Sequence, residues 1–184
     1  MKKRVAIFRN EAADDHLPWV EACSRRQEEV EAEVIDIIAS DWLERFRMKQ
    51  YDLVLLRPPG RTETFKRLYD ERAYIIHNYS GVPVYPSLNE VLIYENKRLL
   101  SDWLSINNIP HPHTRVFFDR KEALEYAGSG AGLPLVAKTN IGASGNGVRF
   151  LRNEQELHGY ILDAFGKGVG VRTGPKLHKG SLAG

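Results

Sequence analysis

Strict alternation between short apolar runs and stretches of helical spacing fills residues 1 to about 87, and it restricts the fold more than any composition figure. The runs "RVAIF" (4–8), "AEVIDII" (32–38), "YDLVLLR" (51–57) and "VPVYP" (82–86) have strand length and carry β-branched or aromatic residues. Helical spacing is read between them at 14–30, 40–49 and 62–79. Asp14 or Asp15 is expected to cap the first helix, with Pro18 in its first turn, where a missing N–H costs little. Ser40 is expected to cap the second, which carries Trp42, Leu43 and Phe46 on one side. The third places Phe65, Leu68, Tyr69 and Ala73 at core spacing, and Pro58-Pro59-Gly60 stops the strand before it. The order β-α-β-α-β-α-β implies parallel strands with helical crossovers, hence a small doubly wound α/β domain.

After residue 88 the pattern changes. Residues 90–108 read as one long helical stretch with a break expected near Tyr94, and "IPHPHT" (109–114) as a proline-stiffened connector. "RVFF" (115–118) reads as a strand, and Asp119 opens a helix ending before "GSGAG" (128–132). "LPLVAKT" (133–139) and "GVRFL" (147–151) read as strands. Asn153 then caps a helix to Phe165, with Glu156 as capping-box partner. From Gly166 the sequence is glycine-rich and basic, with no acid.

Charge and cysteine content narrow the function class. Lys plus Arg number 26 and Asp plus Glu 24, a net +2 that argues against a dedicated nucleic-acid binder. The single cysteine, Cys23, forms no internal disulfide; it is read as a core residue, and the protein as cytoplasmic. No run approaches the ~18 apolar residues of a membrane span, and Val5–Phe8 is too short for a secretion signal of roughly 7–15 apolar residues.

"KTNIGASGNGVRF" (138–150) is the densest functional signal. Gly142, Gly145 and Gly147 give G-x-x-G-x-G followed by a strand, so the stretch is not a dinucleotide fingerprint. No Lys follows Gly147, which excludes a Walker loop, and Ser144 lacks the second glycine of a nucleophile elbow. What remains is a strand–loop–strand with Lys138 closing the incoming strand. Its amides are able to curl around a polyphosphate; a hairpin turn beside a snorkelling lysine is the alternative, and the loop alone leaves both open. Lys97, at the start of a helix in "YENKRLL", is a second cation whose plain reading is a solvated surface lysine. Arg57 and Arg61, in "LRPPGRTE" after the third strand, are placed either to hold a substrate carboxylate bidentately or to sit on a Pro-Gly turn. His111 and His113 lack metal-spaced partners and read as loop histidines. A phosphoacceptor receiver domain is rejected, because Arg57 and Arg9-Asn10 stand where its acids belong.

Taken in order, "NKRLLSDWLSINNIPHPHT" (96–114), "PLVAKTNIGASGNGVRFL" (134–151) and the α/β domain ending in "VPVYPSLNEV" resemble the ATP-grasp superfamily. The resemblance implies a pre-ATP-grasp domain at 1–88, a smaller α+β N-terminal ATP-grasp subdomain at 89–165, and a tail at 166–184 leading into further sequence. It places Lys97 and Lys138 on the two family lysines that bind nucleotide phosphates, and Gly142, Ala143, Ser144, Gly145 and Gly147 on the phosphate lid. It implies ATP and Mg²⁺ as cofactors, and ATP-dependent carboxylate–amine ligation through an acylphosphate, with a flavour of polysaccharide or cell-envelope biosynthesis. A small-molecule or glycan-related carboxylate is the implied substrate; no nucleic acid or membrane partner is expected, and a homodimer is left open. The family's late acidic metal ligands and Glu-x-Asn pair find no counterpart. Glu154, Glu156 and Asp163, the acids after Lys138, all fall on one expected helix, so no metal site is expected within this chain. The 184 residues alone are therefore not expected to be catalytically competent. A non-catalytic remnant binding a nucleotide or a protein partner is the competing expectation.

Overall fold

Strand β1 (Lys3–Arg9) lies at the centre of a four-stranded parallel sheet of order β2-β1-β3-β4, with β2 at Val30–Asp36, β3 at Leu53–Leu56 and β4 at Val84–Tyr85. This computed structural model describes residues 1–145 and 147–169, so most of the glycine-rich tail, and Asn146, lie outside the described residues. Helices α1 (Leu17–Ser24), α2 (Trp42–Arg47) and α3 (Glu63–Tyr79) provide the crossovers. They are followed by α4 (Leu88–Ile93) and α5 (Lys97–Ile106), then α6 (Arg120–Gly128), β5 (Leu135–Lys138), β6 (Val148–Leu151) and α7 (Glu154–Ala164). The chain divides into two compact units, Met1–Leu100 and a second beginning at Ser101, the division falling inside α5.

In the first unit the alternation becomes a doubly wound sheet because central β1 is buried on both faces. Val5, Ala6, Ile7 and Phe8 are all buried. Phe8 meets Trp42 edge-on at 6.3 Å and Phe46 at 5.6 Å, and Phe46 stacks on Tyr51 at 5.4 Å. Each such side chain contributes roughly 1.5–3 kcal/mol by leaving water. Tyr69, Ala73 and Ile76 bring α3 onto this core, and Val91 brings α4.

The second unit has its own core. Ala123 and Ala127 of α6 and Leu157 and Ile161 of α7 pack with Leu151, while Leu135 and Ala137 line its edge. Strands β5 and β6 pair antiparallel, with Val136 opposite Phe150 and Lys138 opposite Val148. One hairpin face thus meets the helices, and the other carries Val136, Lys138, Val148 and Phe150, all exposed.

Several local expectations need correction. Residue His16, not Asp14 or Asp15, stands at the N-cap of α1 without a side-chain cap bond, because Asp15 is engaged by Asn10. That helix ends at Ser24, and turns carry the chain to β2. Asp41 takes the N-cap position expected for Ser40, and Leu43 is exposed. Cys23 is half-buried and outside the core, and burial raises its thiol pKa. Residues 115–118 form no strand: Phe117 and Arg115 both close on the Tyr126 ring, at 5.1 and 5.0 Å, and no ladder partner lies beside them among the described residues. Asp119 and Asn153 do cap α6 and α7, accepting from the Glu122 and Glu156 amides. The Glu156 carboxylate returns to the Arg152 amide, one residue before the cap.

Candidate functional site

The hairpin turn takes its shape from residues held at positive φ. Ser144, Gly145 and Gly147 have φ of 56°, 77° and 74°. The Thr139 amide donates to the Gly147 carbonyl at 3.1 Å, and the Val148 amide to the Gly145 carbonyl at 3.2 Å. The Thr139 hydroxyl donates to the Ile141 carbonyl at 3.2 Å. A Cβ on Gly147 would stand 2.0 Å from Thr139 Oγ1, so a side chain is excluded by contact as well as by φ. Ser144 has no glycine licence for its conformation, which costs roughly 1–2 kcal/mol. Ser144, Gly145 and the Lys138 side chain are exposed, Ala143 and Gly147 partly so, and Gly142 is buried. The structure therefore presents a lysine, a strained turn and an apolar strip on one hairpin. Arg152 lies over the Phe150 ring at 5.1 Å at the edge of that strip.

Lys97, the other expected phosphate ligand, belongs to the first unit and opens α5. Asn96 caps the helix: its carbonyl accepts from Leu100 N at 2.9 Å and its side-chain oxygen from Leu99 N at 3.2 Å. The Lys97 ammonium lies 3.4 Å from Glu95 Oε2. Lys66 holds the turn that delivers these residues. Its side chain is only 2% exposed, and its ammonium bonds Asp70 at 2.5 and 2.6 Å and the Val91 carbonyl at 2.9 Å, at the end of α4. Burial holds Lys66 below the ordinary ammonium range and Asp70 above the ordinary carboxylate range.

The C-terminal edge of the parallel sheet forms a second constellation. Chain order reverses between β1 and β3, and open α/β sheets bind ligands at such a point. The two loops there are stitched together. Asn10 Nδ2 donates to Asp15 Oδ2 at 3.0 Å and to the Pro58 carbonyl at 3.3 Å. Glu11 Oε1 accepts from the Gly60 and Arg61 amides at 3.3 and 2.7 Å. Arg57 Nε stands 3.7 Å from Asp15 Oδ2 and is buried without a hydrogen-bond partner, as is Glu11 Oε2. Arg61 itself is exposed. Sequence reading named the arginines and missed Asn10, Glu11 and Asp15; their position directly after the first strand is the signal that finds them.

Among the described residues no group of three or more His, Cys, Asp or Glu is arranged to hold a metal ion. Nor is any described helix long and apolar enough to cross a membrane.

No protein-family model matches the chain, and no curated protein matches it. Solved structures do. One is an ATP-grasp RimK domain protein from Sphaerobacter thermophilus DSM 20745, 20% identical, with a TM-score of 0.60 over 90% of this chain. The chain spans 60% of that protein's chain. At this identity the likeness speaks for the fold: a mixed α/β architecture of the ATP-grasp type.

Proposed function

We propose that this chain binds ATP, and that it forms part of a longer ATP-dependent ligase joining a carboxylate to an amine or similar nucleophile. The observation that carries the reading is the β5–β6 hairpin. Lys138 closes a strand whose exposed face is otherwise apolar, and a turn with left-handed φ at Ser144, Gly145 and Gly147 follows it. A nucleotide needs that combination: an apolar strip for a flat base, a cation, and amides able to approach phosphate oxygens closely. Gly142, Ala143, Ser144, Gly145 and Gly147 would supply the amides, with Lys138 as phosphate counter-ion; Lys97 of the first unit is assigned the same role on the order of the sequence motifs.

In the ligase reading, ATP phosphorylates the substrate carboxylate, and the acylphosphate is attacked by the amine with loss of phosphate. The lysines and turn would act by position and charge, because phosphoryl transfer asks the protein mainly for alignment and neutralisation. In this reading Arg57 and Arg61 would hold the substrate carboxylate, which their place in the loop after β3, at the sheet's switch point, supports. Magnesium would be supplied with the nucleotide, and the further ligands of the complete enzyme belong to this proposal.

The test is calorimetric titration of the chain with ATP. Charge-assisted hydrogen bonds contribute about 1.5–3 kcal/mol, so Lys138→Met is expected to weaken binding about 10- to 100-fold. Unchanged affinity in that variant would remove the phosphate role. ATP binding without ATP-dependent phosphate release by the longer protein, across a panel of acids and amines, would leave a nucleotide-binding module in place of a ligase.

A further inference from the structure

The turn before α5 puts a carboxylate where the proposed function calls for a phosphate. Glu95 has φ of 52°, a left-handed conformation that a non-glycine residue adopts at a cost. Three features flank it. Lys66 fixes the α4 carbonyls just upstream, the Val91 carbonyl accepting at 2.9 Å. The Asn96 side chain caps the helix just downstream. Gly60 makes room from the side: a Cβ there would lie 2.5 Å from Glu95 Cγ and 3.5 Å from the Tyr94 ring. The Glu95 carboxylate is thereby brought within 3.4 Å of the Lys97 ammonium, both side chains being only about a quarter exposed, at 27% and 26%.

The helix dipole disfavours a cation where Lys97 stands. The lysine occupies the first position of α5, at the positive end of the helix dipole, and the first turn contains no acid. Glu95 places a negative charge beside it, 3.4 Å from the ammonium. We infer that Glu95 is a specificity-determining positioning residue. It serves as an internal counter-ion for Lys97, which an incoming polyphosphate must displace, and it sets how strongly the site favours more negative ligands. This rests on the reading of Lys97 as a phosphate ligand.

The chemistry gives the sign. A phosphate arriving at Lys97 competes with the Glu95 carboxylate and is repelled by it, and both penalties grow with ligand charge. Glu95→Gln keeps the side-chain shape and backbone demand while removing the charge. The experiment is calorimetric titration of the full chain with magnesium-free ATP and ADP at low and high salt. Glu95→Gln is expected to bind ATP about three- to tenfold more tightly at low ionic strength, with a smaller gain for ADP. The gain is expected to shrink above about 0.5 M salt, where charges more than a few ångström apart are screened.

Lys97→Met separates the outcomes. If it leaves ATP affinity unchanged, Lys97 is no phosphate ligand, and the inference falls with that reading. If Lys97→Met weakens ATP but Glu95→Gln leaves affinity unchanged or weakens it, the counter-ion role alone is overturned. A thermal-unfolding midpoint for each variant distinguishes a purely structural Glu95, which would lower stability without a gain that depends on salt and ligand charge.

Discussion

Replacing Lys66 with Met is expected to destabilise the first unit by about 3–5 kcal/mol, the usual cost of removing one member of a buried ion pair. The structure supports the upper part of that range. The Lys66 ammonium is 2% exposed, bonds both Asp70 oxygens at 2.5 and 2.6 Å, and satisfies the Val91 carbonyl at 2.9 Å. Its loss leaves the Asp70 carboxyl, with a side chain 18% exposed, without its Lys66 partner, and leaves the end of α4 short of a donor. Urea unfolding followed by tryptophan emission reads the effect, with Trp103→Phe as background so that Trp19 and Trp42 of the first unit report. At a slope of about 2 kcal/mol per molar, the midpoint should fall by about 2 M.

The pH dependence carries a second test. Burial raises the folded Asp70 pKa above its ordinary value of 3.8. A raised group contributes stability that is full below the unfolded pKa and lost as pH rises through the folded pKa. Removing Lys66 raises Asp70 further, so the penalty of Lys66→Met should be largest at neutral pH and shrink toward pH ~4. Lys66→Met combined with Asp70→Leu should recover more than half of the loss, since apolar pairs often replace buried ion pairs at little cost. A single-variant loss below about 1 kcal/mol, the range of an exposed pair, would refute the argument.

Three further outcomes are expected. Gly147→Ala meets Thr139 Oγ1 at 2.0 Å and demands φ of 74°, so hydrogen exchange across β5 and β6 should accelerate, reporting a loss of about 1–3 kcal/mol. Tyr69→Phe removes a buried hydroxyl that donates to the Phe8 carbonyl at 3.2 Å, and should lower stability by about 1 kcal/mol in denaturant unfolding. The hydrogen bond from Lys49 holds Glu33 below the ordinary carboxylate range. Its contribution is therefore present above the unfolded pKa and lost as pH falls through the folded one, so Glu33→Gln should flatten the decline of the thermal midpoint below about pH 5.

The sheet was legible because its cause is local and repeated. Each strand is a short apolar run bounded by turn residues, and two parallel neighbours require a crossover between them. The helix caps at Asp119 and Asn153 were legible for the same reason, each being a single side chain serving an amide three residues on. What escaped depends on partners far along the chain. Lys66 falls among the core positions of α3 but reads as a solvated charge; it is buried because Val91, 25 residues on, offers a carbonyl. Asp15 reads as a helix cap until Asn10 and Arg57 recruit it. Residues 115–118 have strand composition, but composition supplies no neighbouring strand.

The candidate site divides along the same line. Glycine at 145 and 147 can be anticipated, because a turn that needs positive φ selects the residue that allows it. A non-glycine residue in that region leaves no such mark in the sequence, since glutamate or serine is chosen for its side chain and the backbone cost is met by surrounding contacts. Among the described residues three non-glycines have positive φ: Glu95, Asn108 and Ser144. Asn108 follows α5, where asparagine tolerates the left-handed form and a helix end explains it. The other two have no such local explanation. Glu95 lies two residues before Lys97, and Ser144 lies in the turn that Lys138 leads into. Positive φ in non-glycine residues thus falls near the two lysines that the resemblance singles out, and at Glu95 it accompanies a carboxylate 3.4 Å from Lys97.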